Sequence, residues 1–231
     1  MKKFISYTLS IILLALTASC SKEEVSINPD ELWNEPWDNN TTEFYQRKDN
    51  YFPDRETYVY LEDHAESLAL LQIDEAKLKK LSTMELVQVC MSFPYLHDYI
   101  FYEDLVKGIN RSINNFNGFR VLHDRPDALF CLTKYYNSYL NYINSVKTTS
   151  PDEINPLELC SIELVILSGY YCSTDKLPNY QNLVNAANKS IKLRLEIPSR
   201  LYGETFSNPV ANILITTLGL PFDKFPQGYI Y

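Results

Sequence analysis

From Asp74 onward apolar residues recur at helical spacing, and caps and breakers mark where each run starts and stops. Asp74–Leu81 predicts a short helix with Glu75 and Lys79 paired one turn apart. Ser82 followed by Glu85 is a capping box, opening a helix through Leu86, Val89 and Cys90 that ends near Phe93, before Pro94. Pro94 then opens a predicted helix with Leu96, Ile100, Phe101, Leu105 and Ile109 as its apolar positions. The run NRSINNFNGF (110–119) reads as a turn around Asn117-Gly118. Asp124 reads as the cap of a helix from about Pro126, with Leu129, Leu132, Tyr136, Tyr139, Ile143 and Val146 along one stripe. Ser150, Pro151 and Glu153 signal a further start.

Leu157–Tyr171 is apolar on almost every side, with Glu158, Ser161, Glu163 and Ser168 as the main exceptions. Such a helix belongs at the centre of a bundle. Pro178–Leu195 carries Tyr180, Leu183, Val184, Ala187 and Ile191 on one face. The last helix has Asn208 as cap, Pro209 at its first position, Val210, Ile213, Leu214 and Leu218 inward, Gly219 as stop and Pro221 beyond. Trp33–Tyr60 differs: aromatics alternate with Pro36, Pro53 and polar residues without either periodicity. Disordered linkers are poor in aromatics, so this segment predicts an ordered irregular wrap, with Thr57–Leu61 as one short strand. The tail FDKFPQGYIY is expected to pack back on the body. The predicted fold is mostly α: a single compact bundle of six to eight helices over residues 32–231, with Leu157–Tyr171 at its centre.

Composition agrees with that reading. The 231-residue chain has six glycines, too few for the many turns of an all-β fold, and eighteen tyrosines, which pack by their rings while their hydroxyls reach polar partners. The formal charge is −8, which disfavours nucleic acid and anionic headgroups as partners. Cys90, Cys131, Cys160 and Cys172 lie in apolar surroundings and show no CxxC spacing. On one helix, Cys160 and Cys172 would be about 18 Å apart, beyond the roughly 7 Å reach of a disulfide. A Cys90–Cys131 pairing is left open, and the expectation is buried free thiols.

The first residues change the picture most. Lys2 and Lys3 precede an apolar run from about Ile5 to Leu16, which closes on Thr17, Ala18 and Ser19 before Cys20. That is the pattern of a cleaved export signal, too short to span a bilayer. The cysteine after those small residues resembles the lipobox of bacterial lipoproteins, although Thr17 stands where Leu is commonest and Ser19 replaces Gly or Ala. The resemblance implies residues 1–19 as signal peptide, Cys20 as the acylated first mature residue and 20–31 as a tether. Losing Lys2 and Lys3 takes the formal charge from −8 to −10. Lys22-Glu23-Glu24 is similar to the surface-export signal of Bacteroidetes lipoproteins. It implies the exterior face of the outer membrane, with the bilayer reached through the lipid on Cys20.

A second resemblance covers about a quarter of the chain. LSTMELVQVCMSFPYLHDY, INNFNGF and HDRPDALFCLTKYY (81–136) are similar to a helical module of uncharacterised exported proteins of Bacteroidetes. The matching features are Thr83–Leu86, Phe93-Pro94, Asn115–Gly118 and Arg125–Asp127. This supports a helical fold at a bacterial surface and implies no activity.

Chemistry has few candidates. His64, His97-Asp98 and a later aspartate such as Asp124, in the pair His123-Asp124, resemble the ligand order of HD-type metal phosphohydrolases. The flanking residues depart from that family, with Tyr95-Leu96 before the pair and Tyr99-Ile100 after it. No GxSxG, HExxH, phosphate loop or GxGxxG occurs. Trp33 and Trp37, close to the anchor, are candidates for stacking a glycan. The expected function is a non-catalytic, lipid-anchored surface protein with a binding or assembly role toward a glycan or protein, and with no cofactor. A metal-dependent hydrolase and a glycan-capturing protein are the alternatives.

Overall fold

The computed structural model describes residues 42–45, 48–59, 63–168, 181–197, 201 and 207–222. The expected signal, Cys20, the tether, Trp33, Trp37, Cys172 and the tail from residue 223 lie outside the described residues.

Local signals built most of the body. The helices are α1 (Arg55–Val59), α2 (His64–Leu70), α3 (Glu75–Lys80), α4 (Thr83–Met91), α5 (Leu105–Asn114), α6 (Asn117–His123), α7 (Ala128–Val146), α8 (Pro156–Leu167), α9 (Gln181–Glu196) and α10 (Ser207–Leu218). Eight of them have seven residues or more, and no strand occurs among the described residues. Asp74 caps α3, and the predicted Glu75–Lys79 pair closes at 2.7 Å. Ser82 and Glu85 form the capping box of α4 in both directions. Gly219 ends α10 at φ +62°, the left-handed conformation that favours glycine.

Helix α8 is the centre. It packs against α5, α7 and α10, and residues 158–166 are all buried. Helix α9 closes over α7 and α10, while α4 lies on the other flank of α7 and carries α6. The described part of the aromatic wrap runs over α4 and α7. The Tyr45 ring sits among Tyr135, Tyr139 and Tyr142, and its N–H donates to Ser138 Oγ at 3.0 Å. Phe52 packs on Phe93 and Phe116, and the Lys48 N–H donates to Ser92 Oγ at 2.8 Å.

Five expectations are corrected. Thr57–Val59 is helical rather than extended: residues 55–59 form α1, with Tyr58 buried against Tyr95, while Tyr60 and Leu61 lie outside the described residues. A helical turn satisfies its own backbone where a lone strand has no partner. The helix expected from Pro94 to Ile109 is two elements, a 3₁₀ segment Leu96–Phe101 and α5. Asp104 divides them by accepting from the N–H groups of Val106 and Lys107 at 3.0 and 3.1 Å, so Phe101 is left 80% exposed. Residues 110–119 hold the end of α5 and the start of α6 rather than an extended turn. Gly118 serves close packing there, because a Cβ would collide with the Phe116 ring. Asp124 lies at the C-terminal end of α6, and Asp127 precedes α7, accepting instead from Thr83 Oγ1 at 2.8 Å. Helix α8 ends at Leu167, so the premise of one helix carrying both Cys160 and Cys172 fails. Cys90, Cys131 and Cys160 are buried free thiols.

Candidate functional site

His97 and Asp98 are adjacent in sequence but serve different neighbourhoods. In a 3₁₀ segment successive residues point about a third of a turn apart. His97 faces α8: its Nδ1 lies 2.7 Å from Ser161 Oγ, and its Nε2 lies 3.8 Å from Glu158 Oε2. The Ser161 hydroxyl donates to the Leu157 carbonyl at 2.8 Å, which makes Nδ1 the donor toward Ser161. The Glu158 carboxylate therefore faces the ring nitrogen that takes the second proton. Tyr135 reaches the other Glu158 oxygen at 3.5 Å.

Asp98 faces outward, into a cleft of about 530 Å³ lined by Phe52, Asp54, Arg55, Tyr58, Tyr95 and others. Burial pushes its carboxyl up from the usual range, and the nearby His64 opposes that rise. His64 itself is exposed at the start of α2, with its ring edge on Tyr95 at 5.1 Å. Asp124 is exposed at the end of α6. Thus His64 and Asp98 share one neighbourhood through Tyr95, while His97 turns to Glu158 and Asp124 belongs to another helix end. Among the described residues no group of three His, Cys, Asp or Glu side chains is placed to hold a metal ion. The cleft offers three aromatic rings, one guanidinium and two carboxylates, a lining suited to a small polar ligand held against ring edges.

Among the described residues the core also encloses a charged network that apolar periodicity does not reveal. Glu163 and Arg194 are both 0% exposed and meet at 2.7 Å between Oε2 and Nη2, with a second bond of 2.9 Å from Nη1 to Oε1. Tyr136 and Ser190 hydroxyls donate to Glu163 Oε1 at 2.7 and 2.6 Å, and Arg194 Nε donates to Ser207 Oγ at 3.1 Å. Burial alone would lower the Arg194 guanidinium, but the Glu163 carboxylate more than offsets it and holds it above its ordinary value. The node joins α7, α8, α9 and the first residue of α10. The sequence carries its signal: two acids in a helix otherwise apolar on every side require a cation nearby.

Of the described helices none is long and apolar enough to cross a membrane. No family model, curated protein or solved structure matches the chain.

Proposed function

We propose that this chain is a lipid-anchored surface protein of the Bacteroidetes type whose helical body binds rather than catalyses. Cys20 is acylated and becomes the first mature residue, and Lys22-Glu23-Glu24 direct the protein to the exterior face of the outer membrane. The observation that carries this reading is the ordered run of Lys2-Lys3, an apolar stretch to Leu16, Thr17-Ala18-Ser19 and Cys20. Several acyl chains anchor stably where one holds only marginally, so an acidic body needs no basic patch to stay on the bilayer.

Two observations support binding over metal-dependent hydrolysis. His97 is committed to Ser161 and Glu158 on α8, away from His64. Asp98 instead opens on a cleft walled by Phe52, Tyr58 and Tyr95. Replacing Cys20 with Ala tests the anchor: unprocessed precursor should accumulate, and radiolabelled palmitate should no longer enter the protein. Label entering the Ala variant at the original level would overturn the reading. Replacing Lys22, Glu23 and Glu24 together with Ala should keep the label but shield the protein from protease added to whole cells.

A further inference from the structure

Helix α9 places Asn185, Asn188, Lys189, Lys192 and Glu196 along one face, at steps of three and four residues. With Asn144 of α7 on one side and Pro221-Phe222 after α10 at one end, this stripe lines an open cleft of about 570 Å³. It differs from the rest of a chain of net charge −8.

Among the described residues that line the cleft the one carboxylate, Glu196, is held by Lys147 at 2.5 Å, which leaves the ammonium groups of Lys189 and Lys192 to set the sign of that lining. Lys189 is half-buried and donates to Asn141 Oδ1, and burial pulls its ammonium below the ordinary lysine value. A cation that has lost part of its water gains from an anion brought to it. Asn188 supplies an independent observation. Its Oδ1 is buried without a hydrogen-bond partner, although the residue lines the cleft. A buried acceptor calls for a donor, which a bare carboxylate or fully ionised phosphate cannot give and a hydroxyl can. Phe222 and Pro221 add an apolar wall beside these polar groups.

We propose that this cleft binds an acidic sugar, a hydroxylated ring that carries a carboxylate. Lys189 and Lys192 take the carboxylate, the amides of Asn144, Asn185 and Asn188 take ring hydroxyls, and Phe222 receives the apolar face of the ring. The site belongs to the helical body and holds whether or not Cys20 is acylated, so its failure and that of the anchor are read separately.

Titrating the purified full chain with sodium glucuronate, against glucose, acetate and inorganic phosphate, tests the proposal by chemical-shift changes or calorimetry. Glucuronate should saturate in the range of about 0.1–5 mM, and each control should bind at least roughly tenfold more weakly. Lys189→Met and Asn188→Leu should each weaken glucuronate by about tenfold or more with the melting temperature kept. Lys192 is exposed, so Lys192→Ala should weaken binding with no effect on folding. Acetate or phosphate binding within about tenfold of glucuronate would reduce the cleft to a plain cationic patch and overturn the proposal. So would absence of saturation, or affinity unchanged in Lys192→Ala.

Discussion

Glu158 and Glu163 sit on the same helix, five residues apart, and both are buried, yet they are answered differently. Glu163 lies where α7, α9 and α10 converge, and it meets a guanidinium that is itself fully enclosed, with two hydroxyls completing its oxygens. Glu158 lies in the first turn of α8 and meets His97, whose side chain is 29% exposed. Arginine keeps its charge at any physiological pH and matches a carboxylate with two parallel donors, whereas histidine gains and loses its proton near neutrality. The inner acid is locked and the outer one is adjustable. What separates them is the enclosure of the cation, since the carboxylates share a helix and a burial class.

Removing the inner cation should have the largest effect. Arg194→Met leaves Glu163 uncompensated and should cost about 3–5 kcal/mol in denaturant unfolding, while Glu163→Met combined with Arg194→Met should cost less than the single change. A cost for Arg194→Met no greater than that of His97→Ala would break the comparison. His97→Ala removes the bond to Ser161 and bares Glu158 at the edge, where water can enter, so about 1–2 kcal/mol is expected.

An exposed acid extends the series. Glu85 is held below the usual carboxylate range by hydrogen bonds from the Ser82 side chain and backbone. A depressed folded-state pKa stabilises above the ordinary glutamate value of 4.5, and the contribution is lost as pH falls through the lowered value. Ser82→Ala should therefore cost about 1 kcal/mol at neutral pH and flatten the acid side of the stability curve. Asp98 sharpens the contrast from the opposite side, being half-buried with burial as the leading influence on its carboxyl. Burial raises its carboxyl, and His64 only partly opposes the rise, so the stabilising protonated form is lost as pH increases through the raised value. Asp98→Asn should raise the melting temperature by about 1–2 °C at pH 7 and give no gain near pH 3.

What was legible in the sequence was local. The Glu75–Lys79 pair, the Ser82–Glu85 box, the all-round apolar α8 and the Gly219 stop each depend on residues close in sequence. The misread segments depended on distant partners. Asn117 reads as a turn residue, but its side chain accepts from the Ile73 N–H at 3.3 Å and donates to the Ile73 carbonyl at 2.6 Å, tying the start of α6 to the residue before Asp74. Asp104 is the exception: its cap is local, but the apolar periodicity runs straight across it and hides the break. At the site, sequence spacing grouped His64, His97 and Asp98, whereas the 3₁₀ turn sends His97 inward and leaves only Asp98 near His64. The basic stripe of α9 repeats at helical spacing and could have been read, but its meaning depends on Lys147 neutralising Glu196 from a residue 49 positions away.

The central claim is that the enclosed charges hold the fold together while a surface cleft binds. Glucuronate titration and thermal melting, run side by side on Glu163→Gln and Lys189→Met, test it most directly. Glu163→Gln should melt well below the parent protein and, kept cold and folded, bind glucuronate with parental affinity. Lys189→Met should melt with the parent and bind at least roughly tenfold more weakly. A folded Glu163→Gln that loses affinity, together with a Lys189→Met that keeps it, would contradict the account.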